Sequence, residues 1–290
     1  MAAIDQTIRL SDGRTLSYAE YGDPKGKPVL YMHGNPGCRQ DPQLFTPGCL
    51  EQFGIRLIAP DRPGVGLSSY QPGRKMLDWP ADVGALADAL RIDRFSVLAV
   101  SGGGPYGAVC ALKLRERVSM TFIASGVGPF DRPELLRGMG PGRYFFTAAR
   151  LHPVLGAAIL ALMQMGMKSM KTNTDSSSTG GMPEADMAVM RDPRVSAVFF
   201  GLIDESMRMG RRGLAYDASL IARPWGFPLN EIASPVHLWH GDADINVPVA
   251  MARFVAGQIP GCRSRYFPGE GHFSLIINHQ DEILQMLAGE

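Results

Sequence analysis

The amino-acid sequence predicts an α/β fold, with a mostly parallel central sheet, helices on both faces and a helical insertion. Short apolar runs without polar alternation recur along the chain, as in strands that are buried on both faces. Helical patterns lie between these runs. This alternation stops near residue 126 and resumes near residue 232, which predicts a core domain formed by residues 1–126 and 232–290 and an insertion at 127–231.

The chain opens with a predicted antiparallel hairpin. Residues 7–21 alternate in hydrophobicity around a tight polar turn at residues 11–14, which is typical of two strands joined by a short loop. The apolar runs that follow, each ending at turn residues, are residues 28–32, 55–59, 95–100 and 120–124. We interpret them as buried strands of one sheet.

The clearest helical pattern covers residues 78–90, where Val83, Leu86, Ala87 and Leu90 fall on one face. A strand followed by a helix, repeated, implies parallel strands joined by right-handed crossovers. Beyond the insertion we predict a strand at 236–239, a helix at 249–258, a strand at 264–267 and a last helix at 273–287.

The insertion is expected to be mostly helical. It is rich in Met, Gly, Pro and Arg, contains a Ser/Thr/Gly stretch at 172–181, and lacks a convincing strand pattern. Its most apolar segment, 151–167, is short for a bilayer and predicts a buried or cap helix. Flexible thioethers suit an adaptable apolar pocket, but we expect most of the insertion's methionines to fill its own core: Met163, Met165, Met167, Met170, Met182, Met187, Met190, Met207 and Met209.

Composition excludes several classes of protein. Hydrophobic residues at 45% and charged residues at 20% are ordinary for a globular protein. The 29 basic and 28 acidic residues form no long run of either sign, which argues against nucleic acid and favours a small-molecule substrate. Residues 1–10 lack the pattern of a signal peptide or membrane anchor, so we expect a cytoplasmic protein with reduced thiols and no membrane contact. The cysteines, which lack metal-site or redox spacing, are Cys38, Cys49, Cys110 and Cys262.

The strongest functional signal is a serine at the junction of a buried strand and a helix. Strand 95–100 runs into Ser101, with Ala99 two residues before it and Gly103 two residues after it. This segment resembles the nucleophile elbow of α/β-hydrolases, where small flanking residues permit a sharp strand-to-helix turn. Ala99 replaces the commoner glycine but is still small. The resemblance implies that Ser101 is the nucleophile.

A second motif, His33-Gly34-Asn35-Pro36-Gly37, follows the strand at 28–32. It resembles the HG-x-P loop of the same family. That resemblance implies an oxyanion hole formed by the backbone N–H groups of Asn35 and Gly102. We expect His33 to hold the loop, and the Asn35 side chain to contact the substrate.

The remaining motifs lie after the insertion. Residues 236–248 resemble the family's acid loop, a strand followed by Gly-x-x-Asp, which identifies Asp244 as the acid; Asp242, two residues earlier, remains an alternative.

His272 follows a strand and a glycine and opens the last helix, as the family's catalytic histidine does. A serine hydroxyl needs such a base at neutral pH. The other histidines considered, His152, His237, His240 and His279, are expected to be packing or surface residues.

These motifs occur in the family's order, over residues 7–126 and 232–288. A further family-like turn at 61–68 receives no catalytic role. The resemblance implies hydrolysis of a small, modestly apolar ester or lactone through an acyl-enzyme, without cofactor or metal.

Three alternatives stay open. The loop at 33–37 is also similar to that of proline iminopeptidases, which need carboxylates to hold the substrate amine. A carbon–carbon bond hydrolase uses the same triad, and a ligand receptor can share the fold without catalysis. The oligomeric state has no visible signature. The candidate amine-binding carboxylates are Glu184, Asp186, Asp204 and Glu205.

Overall fold

Eight strands form one sheet in the computed structural model, which describes residues 3–172 and 181–289. Their order across the sheet is β1-β2-β4-β3-β5-β6-β7-β8. The strands are β1 (Ala3–Arg9), β2 (Thr15–Gly22), β3 (Lys27–Met32), β4 (Ile55–Pro60), β5 (Phe95–Val100), β6 (Val118–Ala124), β7 (Val236–Gly241) and β8 (Arg263–Phe267).

The predicted mixture of strand directions is confirmed. β1 pairs antiparallel with β2, and β2 pairs antiparallel with β4, whereas β3 to β8 are parallel to one another. The carboxyl ends of these parallel strands therefore share one edge of the sheet, where open α/β sheets bind their ligands. Ser101 and the loops that carry Asn35, Asp244 and His272 all follow strands at this edge.

Helices cover both faces of the sheet, and the side chains of β5 are accordingly buried in an apolar cluster on each face. Val97 and Ala99 belong to the apolar cluster on one face, and Leu98 and Val100 to the cluster on the other. The helices are α1 (Cys49–Gln52), α2 (Trp79–Ala89), α3 (Gly104–Lys113), α4 (Gly142–Leu151), α5 (Pro153–Thr172), α6 (Glu184–Met190), α7 (Pro193–Ser206), α8 (Arg211–Ile221), α9 (Val249–Gln258), α10 (Ser274–Asn278) and α11 (Gln280–Gly289).

The end of the chain corrects the sequence prediction. A single helix was expected at 273–287, but α10 ends at Asn278 and α11 begins at Gln280. His279 separates them; its ring is 4.2 Å from the ring of Phe267 (centroid to centroid) and contacts Glu282 through Nδ1 at 3.0 Å. Both helices pack on the sheet, with Leu275 of α10 and Ile283 and Leu284 of α11 buried in the cluster that also holds Leu98.

The insertion is helical, as predicted: α4 to α8 lie between β6 and β7, and its described residues contain no strand. Most of the Ser/Thr/Gly stretch at 172–181 lies outside the described residues, as do the side chains of Met167 and Met170. Segment 151–167 falls largely in α5, which packs against α4 and α8. None of the described helices is both long and apolar enough to cross a membrane.

Candidate active site

Ser101 lies on a strained turn between β5 and α3. Its φ is +54°, in a region that non-glycine residues rarely occupy. Gly103 makes the turn possible, because a Cβ at that position would lie 2.0 Å from the carbonyl oxygen of Met32. Strain of this kind persists only where the surrounding structure imposes it, and it concentrates at functional sites.

The structure also shows why alanine fits at position 99, where the family more commonly has glycine. A Cβ on Gly107 of α3 would lie 2.6 Å from the Cβ of Ala99, so the methyl group occupies space that Gly107 leaves free. The glycine that is missing before Ser101 is therefore matched by a glycine on the facing helix. The departure from the usual motif does not prevent the turn.

The two backbone segments expected to form an oxyanion hole lie side by side. A Cβ on Gly102 would be 3.1 Å from the backbone nitrogen of Asn35. A Cβ on Gly34 would be 3.8 Å from Ser101 Oγ, so the same loop borders the serine. Two backbone N–H groups next to a nucleophile can stabilise the negative charge that develops on a carbonyl oxygen during acyl transfer.

Asp244 and His272 form a buried pair: Asp244 Oδ2 lies 2.7 Å from His272 Nδ1. The other oxygen of Asp244 accepts the N–H groups of Asn246 and Val247, both at 2.8 Å, which fixes the carboxylate. Asp242 is exposed and accepts the N–H of Gly269. The geometry therefore pairs His272 with Asp244 rather than with Asp242.

Electrostatics favour the charged pair. Burial by itself would raise the pKa of Asp244, but His272 and His240 outweigh it and hold that pKa below the usual range. Burial opposes protonation of His272, but Asp244 and then Asp186 raise the pKa of its ring above the ordinary value. A base that is stabilised as its protonated form suits proton removal from a hydroxyl.

His240 is predicted from the sequence to be a packing or surface residue, but the structure places it against the candidate acid. Its Nε2 donates to the Val247 carbonyl at 2.8 Å and lies 3.4 Å from Asp244 Oδ2. The available signal was its place at the end of a buried strand, four residues before the acid. His33 does hold its own loop: its Nε2 accepts the N–H of Arg62, and Nδ1 donates to Gly34 O at 2.9 Å.

Ser101 and His272 line one pocket of about 390 Å³. The hydrogen bonds of the described residues do not include one between them, so the structure brings the serine and the histidine to the same cavity without a hydrogen bond between their side chains. Such bonds often tighten only in the complex with substrate. Other polar lining residues are Asn35, Asp41, Gln164 and Asn246.

The insertion supplies much of the apolar pocket wall. Its contribution includes Met139, Phe145, Phe146, Leu160, Met163, Met182, Phe199, Leu202 and Met207. The expectation that its methionines mostly fill the insertion's own core was wrong for the seven whose side chains are described: Met163 and Met182 line the pocket, and Met165 and Met209 are exposed. Met207 also borders the pocket but is buried in the core cluster. These thioethers face the cavity or solvent because the insertion packs as a shell over it.

A buried ionic network lies beneath the oxyanion loop. Asp217 of α8 is fully buried and binds Arg62 and Arg74, at 2.9 and 2.8 Å. Arg62 in turn donates to the carbonyl oxygens of His33 and Gly34, at 2.6 and 2.7 Å. The two guanidinium groups outweigh burial and keep the pKa of Asp217 below its usual range. The turn at 61–68 thus supports the loop.

Asn35 joins this network. Its side-chain nitrogen donates to Asp217 at 2.9 Å and to the Leu214 carbonyl at 3.3 Å. The side-chain amide nitrogen is therefore engaged with α8, and Asn35 also lines the pocket. Contact of its side chain with a substrate stays a prediction. Its Oδ1 is buried and has no hydrogen-bond partner among the described groups.

The candidate amine-binding carboxylates lie elsewhere. Glu184 is exposed beside Arg191, and Glu205 binds Arg39 at 2.7 Å. Asp186 accepts backbone N–H groups of residues 272–274. Neither these three nor Asp204, all in the described part of the chain, lines the pocket. The described residues also contain no group of three or more His, Cys, Asp or Glu that could hold a metal ion.

Comparison with known proteins identifies the family of the chain. A family model described as the alpha/beta hydrolase fold matches residues 27–278. An uncharacterized hydrolase of Bacillus subtilis, YcgS, is 36% identical over 117 residues, which are 40% of this chain and 39% of that protein. A putative proline iminopeptidase of Mycoplasma genitalium is 29% identical over 48% of this chain and 46% of that protein. The matches thus span less than half the length of these curated relatives.

Solved structures are similar over the whole chain. A bromoperoxidase from Bacillus anthracis superimposes with a TM-score of 0.72 at 19% identity, covering 99% of this chain and 100% of that one. A thermophilic esterase from Thermogutta terrifontis gives 0.66 at 20% identity, covering 99% and 97%. At these identities the likeness establishes the fold alone.

Proposed function

The chain belongs to the α/β-hydrolase fold family, and from that premise we propose that it is a serine hydrolase acting on small, modestly apolar esters or lactones. The observation that carries the proposal is the strained Ser101 in an apolar pocket that is also lined by His272, whose ring is paired with the buried Asp244. Membership of the family makes a hydrolase the expected class. The choice of bond and substrate rests on the pocket.

The reaction follows from the side chains. Ser101 Oγ attacks the carbonyl carbon while His272 takes the hydroxyl proton, and Asp244 holds the ring in the orientation that leaves Nε2 free to accept it. The N–H groups of Asn35 and Gly102 stabilise the oxyanion. His272 then donates the proton to the departing alkoxide, and a water molecule, deprotonated by the same ring, releases the acid from Ser101.

The pocket favours an apolar substrate. Its volume of about 390 Å³ lies in the range of about 300–1,000 Å³ that small-molecule sites occupy. Aromatic, leucine and methionine side chains dominate its wall. Burial of each methylene group contributes about 0.8 kcal/mol, so a medium acyl or alkyl chain gains more from this wall than acetate does. We propose that the insertion acts as the substrate-selecting cap.

An aminopeptidase is the second candidate, because a curated relative is named a putative proline iminopeptidase. An ammonium group bound in an apolar pocket needs a paired carboxylate. Among the described residues that line the pocket, the one carboxylate is Asp41. Its oxygens accept the N–H groups of Gly34 and Cys38, and burial raises its pKa to about 7. A carboxylate that is already bonded and partly neutral is a poor amine ligand, so the ester proposal is favoured.

A substrate panel tests the proposal. Purified protein is assayed with p-nitrophenyl acetate, butyrate, hexanoate and octanoate, a γ-lactone of matched length, and prolyl β-naphthylamide. We expect kcat/KM to rise from acetate towards the longer esters, with negligible amide hydrolysis. Faster cleavage of the prolyl amide would support the aminopeptidase, and ester binding without turnover would support a receptor.

A further inference from the structure

Asp186 links the insertion to the loop that carries the catalytic histidine. It belongs to α6, 86 residues before His272, and only 1% of its surface is exposed. One oxygen accepts the backbone N–H of His272, and the other accepts those of Phe273 and Ser274, all at 2.9 Å. One carboxylate therefore holds three successive backbone groups of the loop.

The local sequence accommodates this contact. A Cβ on Gly271 would lie 2.4 Å from the Asp186 carboxylate, so only glycine lets the side chain approach so closely. Nearby, Phe199 of α7 packs edge-to-face on Phe273, with ring centroids 5.0 Å apart. A buried carboxylate is costly unless hydrogen bonds offset the loss of water. Three charge-assisted bonds meet that requirement here.

We propose that Asp186 is a positioning residue for the proposed hydrolase: it fixes the backbone from which His272 projects, and its charge stabilises the imidazolium that forms during each proton transfer. The inference rests on the proposed function. It also makes the insertion part of the catalytic machinery, because a displacement of α6 would release the loop that orients the base.

Charges around His272 set the expected pH effect. Within the described chain, Asp244 faces the ring from the loop after β7, Asp186 lies on the side of α6, and His240 sits behind Asp244, 3.4 Å from it. Despite the opposing effect of burial, Asp244 and then Asp186 raise the pKa of His272. The base works when neutral, so kcat/KM falls as the pH drops through this pKa. Removal of the Asp186 charge lowers the pKa and moves this acid limb to lower pH.

The test uses Asp186→Asn and, as a matched control, Glu184→Gln, which neutralises an exposed carboxylate on the same helix. For each protein, kcat/KM with p-nitrophenyl butyrate is measured from pH 5 to pH 9. We expect Asp186→Asn to lower the plateau by about 10- to 100-fold, since misplacement of a reacting group has effects of that size, and to shift the acid limb to lower pH. The control should match the wild type in both respects.

Further outcomes keep the two proposals apart. Failure of the wild type to hydrolyse esters or to react with a fluorophosphonate at Ser101 would overturn the proposed function. An active wild type with an unshifted acid limb in Asp186→Asn would overturn the positioning role, even if the plateau fell. Where Asp186→Asn does not fold, Asp186→Glu keeps the charge on a longer side chain. It should retain the acid limb with a reduced plateau, and a wild-type plateau would overturn the inference.

Discussion

The core and the insertion differ in how they use apolar side chains. In the core, β5 is buried on both faces of the sheet, and the proposed reacting groups follow strand ends where close backbone contacts allow few alternatives. In the insertion, the outer face of α5 exposes Val154, Leu155 and Leu162, while Leu160 is buried. All but one of the large exposed apolar side chains of the described chain belong to the insertion.

From this difference we infer that the core carries the proposed chemistry and that the insertion determines which substrates are preferred. A strained serine and a carboxylate with fixed hydrogen bonds need a rigid frame. A pocket wall made of methionine and phenylalanine can adapt to different chains. Two buried carboxylates of the insertion, Asp186 and Asp217, accept hydrogen bonds from the core, each from one loop at the candidate site. The comparison therefore predicts that core substitutions affect every substrate, whereas pocket-wall substitutions change preferences among substrates.

The largest effect is expected at the acid. Asp244→Asn should lower kcat by about 10⁴-fold for all esters, because the amide favours the wrong histidine tautomer. Asp242→Asn, in the same turn but hydrogen-bonded to Gly269, should stay within about twofold, as expected for an exposed substitution outside the machinery. Steady-state kinetics of both variants provide the measurement. A comparable loss in Asp242→Asn would mean that the acid is wrongly assigned.

The core and the insertion should differ in how well their backbones tolerate an added Cβ at a glycine. Gly103→Ala forces a methyl group against the Met32 carbonyl and should cost at least about 2 kcal/mol of unfolding free energy. Gly201→Ala lies on α7, where a Cβ meets nothing within 4 Å, and should stabilise by about 0.5–1 kcal/mol. Urea unfolding followed by circular dichroism measures both. Equal changes in the free energy of unfolding would contradict the proposal that the turn at Gly103 is more constrained than α7.

Selectivity should respond to the pocket wall. Leu202→Trp fills part of the cavity and should reduce kcat/KM for octanoate relative to acetate by about tenfold, the scale of one or two methylene groups. Leu162→Trp, on the exposed face of α5, is the matched control and should leave the ratio unchanged. The ratio for p-nitrophenyl esters is the readout. An equal loss of kcat/KM for both esters would mean that Leu202 contributes to catalysis and not to substrate selection.

Local signals explain what could be predicted from the sequence. Buried strands, the hairpin turn and the glycines around Ser101 follow from the residues within a few positions, so the fold and the strand-end loops were predictable. The contacts of Asp186 with His272 and of Asp217 with Asn35 span 86 and 182 residues. No pattern in a single sequence joins such distant positions. Asp186 was therefore predicted to be at most one of four candidate amine ligands, and His240 to be a packing or surface residue.

The most direct test of the central claim is the intact mass of the protein after exposure to a fluorophosphonate, for the wild type and for Ser101→Ala and His272→Ala. An activated serine forms one covalent adduct, whereas an ordinary hydroxyl does not react. We predict a single adduct on the wild type, located at Ser101 by peptide mapping, no adduct on Ser101→Ala and strongly slowed labelling of His272→Ala. A folded wild type that stays unlabelled, or a Ser101→Ala variant that still gains the adduct, would contradict the account.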